Sequence, residues 1–582
     1  MHKHFDAHRQ TQLAWLLTFL FIIAYSVIMS YESILRYETF KASAFDLGNM
    51  DQVLWNTIHG RLFQFTNQAI DWYGPPTRLA IHFEPILLPL SLLYAFGANP
   101  RIILIFQTLV LAAGAFPVFL LSRRYLPTWP LLATAMAGAY LLMPAVLGLN
   151  LFDFHPVSLA CPLFLYAMLA LVYKRSGWVI VLCILAAACK EDMPLVVAGF
   201  GLLIIWKYHQ RRLGLLLFIG GFLWSIIAFK FIIPHFYPGV QANNFWYRYE
   251  SLGSSPAEAL INITLHPWVL FTTFFTLDRF YYLVNLLRSG GFLGLLAPEW
   301  LLPATFSFAQ NLLTTDNLTY SGVYHYNASI IPFVMISSIF GLRRLMTLWQ
   351  RWRDEPVVTP WYLYVPPARL YFIHGRLQRR LFLWFVALMH VVQRSGTALV
   401  RRLAQVRICL WLAIWIKHVA QGMWLWGITH WKRLEAHLIP VARGVPTARF
   451  QWVVTLWLAL MIAVNFVAIS TFLNAFWPDH LPGSHEQHVQ QLLAMIPPDA
   501  SVSAGLNINP HLSERQRLTV FPSISDSFHN DAVQYIIVDL NAVFPEDRVN
   551  TVNQLNQLQH SGEYTVIGRA EGVVLLKRRS SP

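Results

Sequence analysis

The amino-acid sequence predicts a mainly α-helical protein that crosses a membrane many times and ends in a small α/β domain. Hydrophobic residues make up 56% of the 582-residue chain and charged residues only 12%, whereas soluble globular proteins average about 25% charged residues. Apolar runs of about 18 residues or more recur between residues 12 and 345, and runs of that length span a bilayer as helices. After residue 473 the pattern changes to short strand-like and helix-like segments.

The first apolar run, 12–30, fixes the orientation of the chain. It follows MHKHFDAHRQ, whose Lys3 and Arg9 favour a cytoplasmic N-terminus by the positive-inside rule. The following loop, 31–99, then faces outward. Within that loop the short, proline-broken run 83–96 is expected to lie along the outer membrane surface rather than to cross.

Later basic clusters set the number of crossings, since each is expected on the cytoplasmic side. These clusters are Arg123-Arg124, Lys174-Arg175, Lys207 to Arg212 and Arg343-Arg344. They predict about eleven spans, or about thirteen if apolar runs inside 381–427 form a further hairpin. The spans are 12–30, 100–122, 128–149, 156–173, 177–189, 193–206, 213–233, 266–286, 291–312, 327–342 and 451–472.

The positive charge is concentrated in one segment. Residues 341–450 contain 17 Lys and Arg against Asp354, Glu355 and Glu435, which accounts for the whole net charge of +14. The basic residues alternate with Trp, Leu and Phe, as in ICLWLAIWIKH. This pattern argues against a nucleic-acid partner and favours a segment lying on the anionic cytoplasmic face of the membrane.

The tail after the last span has the signals of an α/β fold. HEQHVQQLLAMIP and a segment near 547–559 have helical periodicity, whereas SVSAGLNI, RLTVF, QYIIVDL and YTVIGRAEGVVLL are strand-like. The sequence thus divides into a transmembrane domain (1–345), a basic cytoplasmic or interfacial insertion (346–450), a last span (451–472) and an extracytoplasmic α/β domain (473–582).

Acidic and histidine residues collect on the predicted outer face. They occur next to apolar spans in five stretches that are far apart in sequence. These are FDLGNMDQ (Asp46, Asp51), IHFEP (His82, Glu84), LFDFHP (Asp153, His155), CKEDMP (Lys190, Glu191, Asp192) and YHYNAS (His325).

Each stretch also has a structural interpretation. Asp46 is well placed to cap the helix that begins at LGNMDQ, and Asp51, five residues on, would point to a different face. The residues of IHFEP and LFDFHP could simply occupy an interface or cap span ends. Lys190, Glu191 and Asp192 could form an internal charge pair at a turn, but three charges near hydrocarbon tend to be functional.

The residue types in these stretches suit group transfer from a lipid-borne phosphate donor. An acid can take the proton of an acceptor hydroxyl, and a cation can stabilise a phosphate leaving group. Carboxylates and histidine can hold a divalent ion such as Mg²⁺ or Mn²⁺, for which Asp46, Glu84 and His82 are the candidate ligands. The chain has no Walker motif and no GxGxxG between a strand and a helix, so a nucleotide-linked donor is not expected.

FDLGNMDQ, RLAIHFEPILLPL, LFDFHPVSLACPLF, KEDMPLV, NPHLSER and QYIIVDL resemble an uncharacterised prokaryotic family of polytopic membrane proteins. It is the domain of unknown function numbered twenty seventy-nine. The resemblance is expected to cover the chain except for 346–450. More distantly, the layout is similar to the GT-C superfamily of membrane glycosyltransferases, which transfer a sugar from a polyprenyl-phosphate or pyrophosphate carrier at the outer face.

The GT-C resemblance implies a set of roles. Asp46 stands where that superfamily has its first-loop catalytic acid, although FDLG replaces the paired acids of many members. It implies that Asp46 is the base or metal-positioning residue, assisted by Asp51, Glu84 or Asp192, and that Lys190 binds the carrier phosphate. The expected substrate-binding residues are Lys190, Glu191, His82, Asp153, His155 and His325.

The leading hypothesis is therefore a glycosyltransferase of a prokaryotic inner (cytoplasmic) membrane, acting on a polyprenyl-phosphate-linked sugar and a lipid, glycan or protein acceptor. A transporter or lipid-carrier flippase is the alternative, since Asp278 and Arg279 lie within a predicted span. A third interpretation is a non-catalytic scaffold, which would leave the membrane-level acids unexplained.

Overall fold

A computed structural model describes residues 2–67, 76–237, 245–266, 268–354, 435, 438–472, 476–525 and 531–579. Most of the basic segment 346–450, including the region 381–427, lies outside these residues. The described chain is mainly helical, with one small sheet near its C-terminus, as the sequence predicts.

The helices follow one another with short connections. In chain order they are α1 His2–Glu38, α2 Asn49–Ile58, α3 Leu87–Ser91, α4 Pro100–Ala113, α5 Ala115–Tyr125, α6 Pro130–Leu141, α7 Pro144–Leu151, α8 Ala160–Val172, α9 Ser176–Ala187, α10 Met193–Leu203, α11 Arg211–Ile227, α12 Ile233–Phe236, α13 Pro256–Leu265, α14 Trp268–Phe274, α15 Leu277–Arg288, α16 Thr305–Leu313, α17 Ile331–Asp354, α18 Thr447–Phe472, α19 Ser484–Leu493 and α20 Pro545–His560. Short π-helical segments at Ala44–Gly48, Ile204–Tyr208 and Ala228–Ile232 interrupt or extend this series.

Several helices are long and apolar enough to cross a membrane. Within the described residues five meet this test by length and composition: His8–Glu38, Pro100–Tyr125, Arg211–Phe236, Ile331–Asp354 and Thr447–Ala468. The bent pair α6 and α7 would make a sixth. The described chain also contains four shorter apolar helices: Leu87–Phe96, Pro156–Val172, Ser176–Ala187 and Met193–Tyr208. The count of about eleven spans remains a prediction.

Besides 128–149, which is the bent pair α6 and α7, two predicted spans are not single helices. The region 266–286 is divided between α14 and α15, because Thr276 between them is extended and caps α15 by accepting a hydrogen bond from the amide of Arg279. The region 291–312 begins with two 3-10 segments, Leu293–Leu296 and Pro298–Ala304, in which prolines prevent a continuous α-helix, and only then becomes α16.

Polar side chains connect the N-terminal helices to one another. The hydroxyls of Thr18 on α1 and Thr134 on α6 are 3.1 Å apart. Asn150 on α7 donates to Ser33 and to Thr108, each at 2.9 Å. Because hydrocarbon offers no hydrogen-bond partners, such buried interhelical bonds help to fix how apolar helices pack.

Glycines allow α10 and α11 to pack closely. A Cβ atom at Gly201 would lie 2.5 Å from the carbonyl oxygen of Gly214, and one at Gly221 would lie 2.3 Å from the carbonyl oxygen of Pro194. Side chains at these positions would force the helices apart. The close packing holds the N-terminal end of α10, where Lys190, Glu191 and Asp192 form the preceding turn.

The C-terminal module, residues 484–578, is a five-stranded sheet with a helix against each face. Its strands are β1 Val502–Ala504, β2 Leu518–Val520, β3 Tyr535–Asp539, β4 Tyr564–Ala570 and β5 Val573–Arg578, in the spatial order β2-β1-β3-β5-β4. The strands β2, β1 and β3 are parallel, whereas β4 and β5 form an antiparallel hairpin. Side chains alternate between two cores, so that Ile537 packs with α19 and Ile536 packs with α20.

The described residues within 260–267 and 343–454 belong to a second compact unit. Within it, Trp349 and Trp352 of α17 pack with Ala442. The indole N–H of Trp352 donates to the carboxylate of Glu435 at 2.9 Å. The described part of the basic segment is thus held by aromatic packing.

Candidate functional site

The structure brings most of the predicted polar residues to one cavity. Its volume is about 660 Å³, which is within the range of ligand-binding pockets. Eight of the ten predicted site residues line it: Asp46, His82, Glu84, His155, Lys190, Glu191, Asp192 and His325. They come from five separate parts of the chain, so the cavity exists only in the folded protein.

Asp46 lies in the π-helical segment Ala44–Gly48, directly before α2. The residue that caps this segment is Ser43, whose hydroxyl accepts a hydrogen bond from the amide of Phe45. The interpretation of Asp46 as a helix cap is therefore wrong. Its carboxylate instead contacts a side chain across the cavity. π-helical turns are rare and often found at functional sites.

Asp46 and His155 lie within hydrogen-bonding distance of each other. Nε2 of His155 is 3.1 Å from Oδ1 of Asp46, and Nδ1 is 3.1 Å from the carbonyl oxygen of Phe152. A carbonyl oxygen only accepts, so Nδ1 carries a hydrogen. A hydrogen bond between Nε2 and Oδ1 then needs one further proton, held either by the imidazole or by the carboxyl group. Oδ2 of Asp46 has no hydrogen-bond partner in the described chain.

His325 lies against this pair. Its ring stacks on that of His155 with a centroid distance of 4.1 Å and an interplanar angle of 17°. Burial, together with the charge of His155, holds the pKa of His325 well below its usual value of 6.5. The neutral imidazole of His325 therefore covers one face of His155. The buried Nδ1 atom of His325 has no hydrogen-bond partner among the described residues.

The turn between α9 and α10 supplies a cation and two acids. Burial alone would lower the pKa of Lys190, but the nearby carboxylates of Asp192 and Glu191 raise it above 10.5, so Lys190 is an ammonium ion. Within the described residues it has no hydrogen-bond or ion-pair partner. Burial raises the pKa of Asp192, and its buried Oδ1 also lacks a hydrogen-bond partner.

Glu191 is engaged in structural contacts. Nδ1 of His82 donates to it at 2.8 Å, and the amide of Phe83 donates to its other oxygen at 3.1 Å. Although burial would raise the pKa of Glu191, His82 and Lys190 hold it at about 2. Glu191 is thus a buried carboxylate that connects the IHFEP stretch to the Lys190 turn.

Glu84 forms a bidentate ion pair with Arg78. Nε and Nη2 of Arg78 lie 2.7 and 3.3 Å from the two carboxylate oxygens of Glu84, and both residues are buried. Arg78 was not among the sequence candidates.

The three candidate metal ligands do not come together. Asp46 contacts His155, His82 contacts Glu191 and Glu84 contacts Arg78. In the described parts of the chain no group of three or more His, Cys, Asp or Glu side chains is arranged to hold a metal ion. This arrangement of donor side chains does not fit a metal site, so no step of the proposed reaction uses a metal ion.

One wall of the cavity is apolar. Phe229, which lines it, follows α11 in the π-helical segment Ala228–Ile232. Phe222 and Ile226 lie seven and three residues earlier, on the same helix face, and are 44% and 49% exposed. The exposed apolar face of α11 therefore continues into the cavity wall.

Arg248 is a second cation in the cavity that the sequence did not single out. It forms an ion pair with Asp316 at 3.1 Å and packs against the rings of Phe245 and Tyr326. It lies in an aromatic stretch, WYRYE, and its position in the cavity is apparent only from the structure.

Two predicted site residues lie elsewhere. Asp51 is completely buried and accepts hydrogen bonds from the hydroxyls of Tyr94 and Ser513, because the face of α2 that carries it packs against the C-terminal module. Asp153 pairs with Arg36 at 3.5 Å and accepts a 2.8 Å bond from the amide of Ser43. Asp51 and Asp153 therefore do not line the cavity with the other eight predicted residues: Asp51 joins two parts of the fold, and Asp153 fixes the start of the Asp46 segment.

The sequence matches the family described as predicted membrane protein (DUF2079) over residues 36–365 and 381–575. The chain belongs to this family. We expected the resemblance to exclude residues 346–450, and this is wrong, because the family match includes 346–365 and 381–450. The five polar stretches all lie within the matched part.

Comparison with solved structures gives a more distant similarity. The structure is similar to that described as "Crystal Structure of ArnT from Cupriavidus metallidurans bound to Undecaprenyl phosphate", with 14% sequence identity and a TM-score of 0.43. The alignment covers 97% of this chain and 98% of that one. No curated protein matches the sequence.

Proposed function

We propose that this DUF2079 protein is a membrane glycosyltransferase that transfers a sugar from a polyprenyl-phosphate-linked donor to a lipid, glycan or protein acceptor. The observation that carries the proposal is the convergence of eight polar residues from five parts of the chain on one cavity. Among the described residues, the cavity combines an acid with one carboxylate oxygen that accepts no hydrogen bond, a cation without a hydrogen-bond partner, and the apolar side chain of Phe229. Each of these features matches one part of the proposed reaction.

The unpartnered polar atoms suit a sugar. Among the described residues, three buried atoms of the cavity lining have no hydrogen-bond partner: Oδ1 of Asn49, Oδ1 of Asp192 and Nδ1 of His325. Buried polar groups in native proteins are almost always hydrogen-bonded, and the exceptions need an explanation. Sugar hydroxyls donate and accept hydrogen bonds, so a bound sugar would satisfy these atoms.

The cation and the apolar wall suit a lipid phosphate. Lys190 has three N–H donors and no partner among the described residues, so it is available to a phosphate group. Phe229 continues the exposed apolar face of α11 into the cavity. An isoprenoid chain lying along this face would bring its phosphate to the cavity without leaving an apolar environment.

The proposed reaction needs only groups of this chain. Oδ2 of Asp46 takes the proton as the acceptor O–H bond breaks, and the acceptor oxygen forms a bond to C1 of the sugar. The bond between C1 and the phosphate oxygen breaks, and its electron pair remains on the polyprenyl phosphate. Lys190 stabilises the resulting negative charge. His155 orients Asp46, and Glu84 holds Arg78 in place.

The proposed setting follows from the charge distribution of the sequence. We place the N-terminus in the cytoplasm, and the cavity and the C-terminal module on the outer side of a prokaryotic inner membrane. The GT-C-like layout with about eleven spans belongs to this proposal. Asp278 and Arg279 give little support to the transporter alternative, since Arg279 donates to the carbonyl oxygens of Leu312 and Thr314.

The test is transfer by the purified protein in nanodiscs, with a panel of radiolabelled polyprenyl-phosphate sugars and membrane lipid acceptors. Asp46→Asn is expected to lower transfer about 10²- to 10⁴-fold, because the amide cannot accept the proton as a carboxylate does. The matched control is Asp278→Asn, which removes an exposed carboxylate at the start of α15. It is expected to transfer at the wild-type rate.

Equal transfer by Asp46→Asn and wild type would remove Asp46 from the mechanism. Cysteine labelling at residues 190–192 tests the transporter alternative separately. Accessibility from the outside alone agrees with the enzyme, whereas accessibility that alternates between the two sides would favour transport.

A further inference from the structure

We propose that the C-terminal module holds Asp46 in its working position, with Asn509 as the positioning residue. This inference rests on the proposed function of Asp46. The module then has a direct part in the reaction, although it contributes no side chain to the cavity lining.

The backbone of the Asp46 segment is hydrogen-bonded to the module. The amide of Ala44 donates to the carbonyl oxygen of Leu506 at 2.9 Å. The carbonyl oxygen of the same residue accepts a 2.9 Å bond from the side chain of Asn67. Both backbone groups of Ala44, two residues before Asp46, are therefore held from outside the segment.

Asn67 is held in turn by Asn509. Nδ2 of each side chain donates to Oδ1 of the other, at 2.6 Å in both directions. Both residues are completely buried, so water does not compete for these bonds. Asn509 lies in the 3-10 turn Asn509–His511 of the module. The amide pair thus connects the module to the Asp46 segment through one intermediate side chain.

The other end of the segment is held by close contact. A Cβ atom on Gly48, two residues after Asp46, would lie 2.7 Å from Oδ1 of Asn509 and 2.9 Å from Nδ2 of Asn67. Only glycine lets the segment approach the amide pair this closely. Ala44 and Gly48 bracket Asp46, and both depend on Asn67 and Asn509.

This attachment differs from the rest of the interface. Ser513 of the module donates to Asp51 at 2.6 Å, and Gln52 donates to the carbonyl oxygen of Arg515 at 2.9 Å. These bonds join α2 to the module but do not touch residues 44–48. The chain therefore offers a matched pair of interface residues, Asn509 and Ser513, of which only Asn509 supports Asp46.

The first experiment compares Asn509→Ala with Ser513→Ala in the transfer assay. Both remove a buried interface hydrogen bond and are expected to lower the thermal stability of the protein. Asn509→Ala is also expected to lower kcat about 10- to 100-fold with KM nearly unchanged, because a small displacement of a reacting group costs rate. Ser513→Ala is expected to keep kcat within about twofold of wild type. Equal kcat values for the two variants would overturn the inference.

A second variant approaches the same contact from the other side. Gly48→Ala places a methyl group against Oδ1 of Asn509 and is expected to lower kcat as well. In the double variant Gly48→Ala/Asn509→Ala the two effects are expected to be less than additive, because the first clash is removed by the second change. Full additivity would show that Gly48 and Asn509 act independently and would contradict the inference.

Hydrogen exchange separates this inference from the proposed function. The amides of residues 43–49 are expected to exchange faster in Asn509→Ala than in Ser513→Ala, whether or not the substrate has been identified. If the wild type transfers no sugar but this difference is seen, the proposed function fails and the attachment stands. Equal exchange in the two variants would overturn the attachment.

Discussion

The cavity and the interface between α2 and the C-terminal module are both rich in buried polar residues, but they differ in how these residues are partnered. At the interface, Asp51 accepts from two hydroxyls, and Asn67 and Asn509 satisfy each other. In the cavity, Oδ1 of Asp192 and Nδ1 of His325 have no partner, and Lys190 has none within the described chain.

The difference separates structural from functional polar groups. A buried polar group with all its hydrogen bonds stabilises the fold, whereas one left unpaired costs free energy unless a ligand satisfies it. We therefore expect that removal of a paired group mainly lowers stability and that removal of an unpaired group mainly lowers activity. The following predictions test this rule within one molecule.

The largest effect on stability is expected for Arg78→Met, because Arg78 is a paired group at the edge of the cavity. The substitution leaves the Glu84 carboxylate buried without its partner, which costs about 3–5 kcal/mol in the free energy of unfolding. The measurement is the melting temperature of the protein in detergent. The double variant Arg78→Met/Glu84→Gln is expected to recover much of the loss. A double variant as unstable as Arg78→Met would show that the ion pair is not the cause.

The next-largest effect, a loss of transfer, is expected for Lys190→Met. This change removes a cation that has no hydrogen-bond or ion-pair partner within the described residues. Transfer is expected to fall about 10²- to 10³-fold, since the phosphate leaving group loses its charge partner, while the melting temperature changes little. The matched control is Lys207→Met. Lys207 forms a 3.0 Å ion pair with Glu299 at the other end of α10, so this variant is expected to lose stability and keep its transfer rate. The reverse result would contradict the distinction between paired and unpaired groups.

The smallest effect, a change in stability that depends on pH, is expected for Asp51→Asn. Burial raises the pKa of Asp51 from 3.8 to about 7, against the opposing hydrogen bonds from Ser513 and Tyr94. Because the folded protein binds this proton more tightly than the unfolded chain, the stability contribution is complete below pH 3.8 and is lost as pH rises through about 7. Burial and Asp51 also raise the pKa of the nearby Glu514 to about 8, against the opposing charge of Arg101.

The measurement is the difference in melting temperature between Asp51→Asn and wild type at pH 5 and pH 8. The variant cannot acquire the buried charge, so this difference is expected to shift in favour of the variant by a few degrees at pH 8. A difference independent of pH would show that Asp51 does not titrate in this range.

The sequence predicted the elements of the fold better than their arrangement. Apolar periodicity identified most of the helices, and strand-like alternation after residue 484 identified the C-terminal sheet. The regions 266–286 and 291–312 are not the continuous helices that the sequence predicted. Mean apolarity does not reveal a helix cap such as Thr276 or the prolines Pro298 and Pro303 that interrupt a helix.

The sequence predicted most of the charged residues that line the candidate site, but not the arginines that lie beside them. Charges next to apolar spans are costly, so Lys190 and Asp192 could be recognised locally. Arg78 and Arg248 could not, because their positions in the cavity depend on how distant parts of the chain fold together. Asp46 and Asp51 lie five residues apart, and only the position of the C-terminal module decides which of them faces the cavity.

The most direct test of the account compares Asp46→Asn and Asp51→Asn in one transfer assay with a polyprenyl-phosphate sugar. The two changes are chemically identical, and both affect the stretch FDLGNMDQ. We predict that Asp46→Asn loses at least about 10²-fold in transfer, whereas Asp51→Asn stays within about threefold of wild type. Equal losses in the two variants, or undiminished transfer by Asp46→Asn, would contradict the assignment of the cavity as the reaction site.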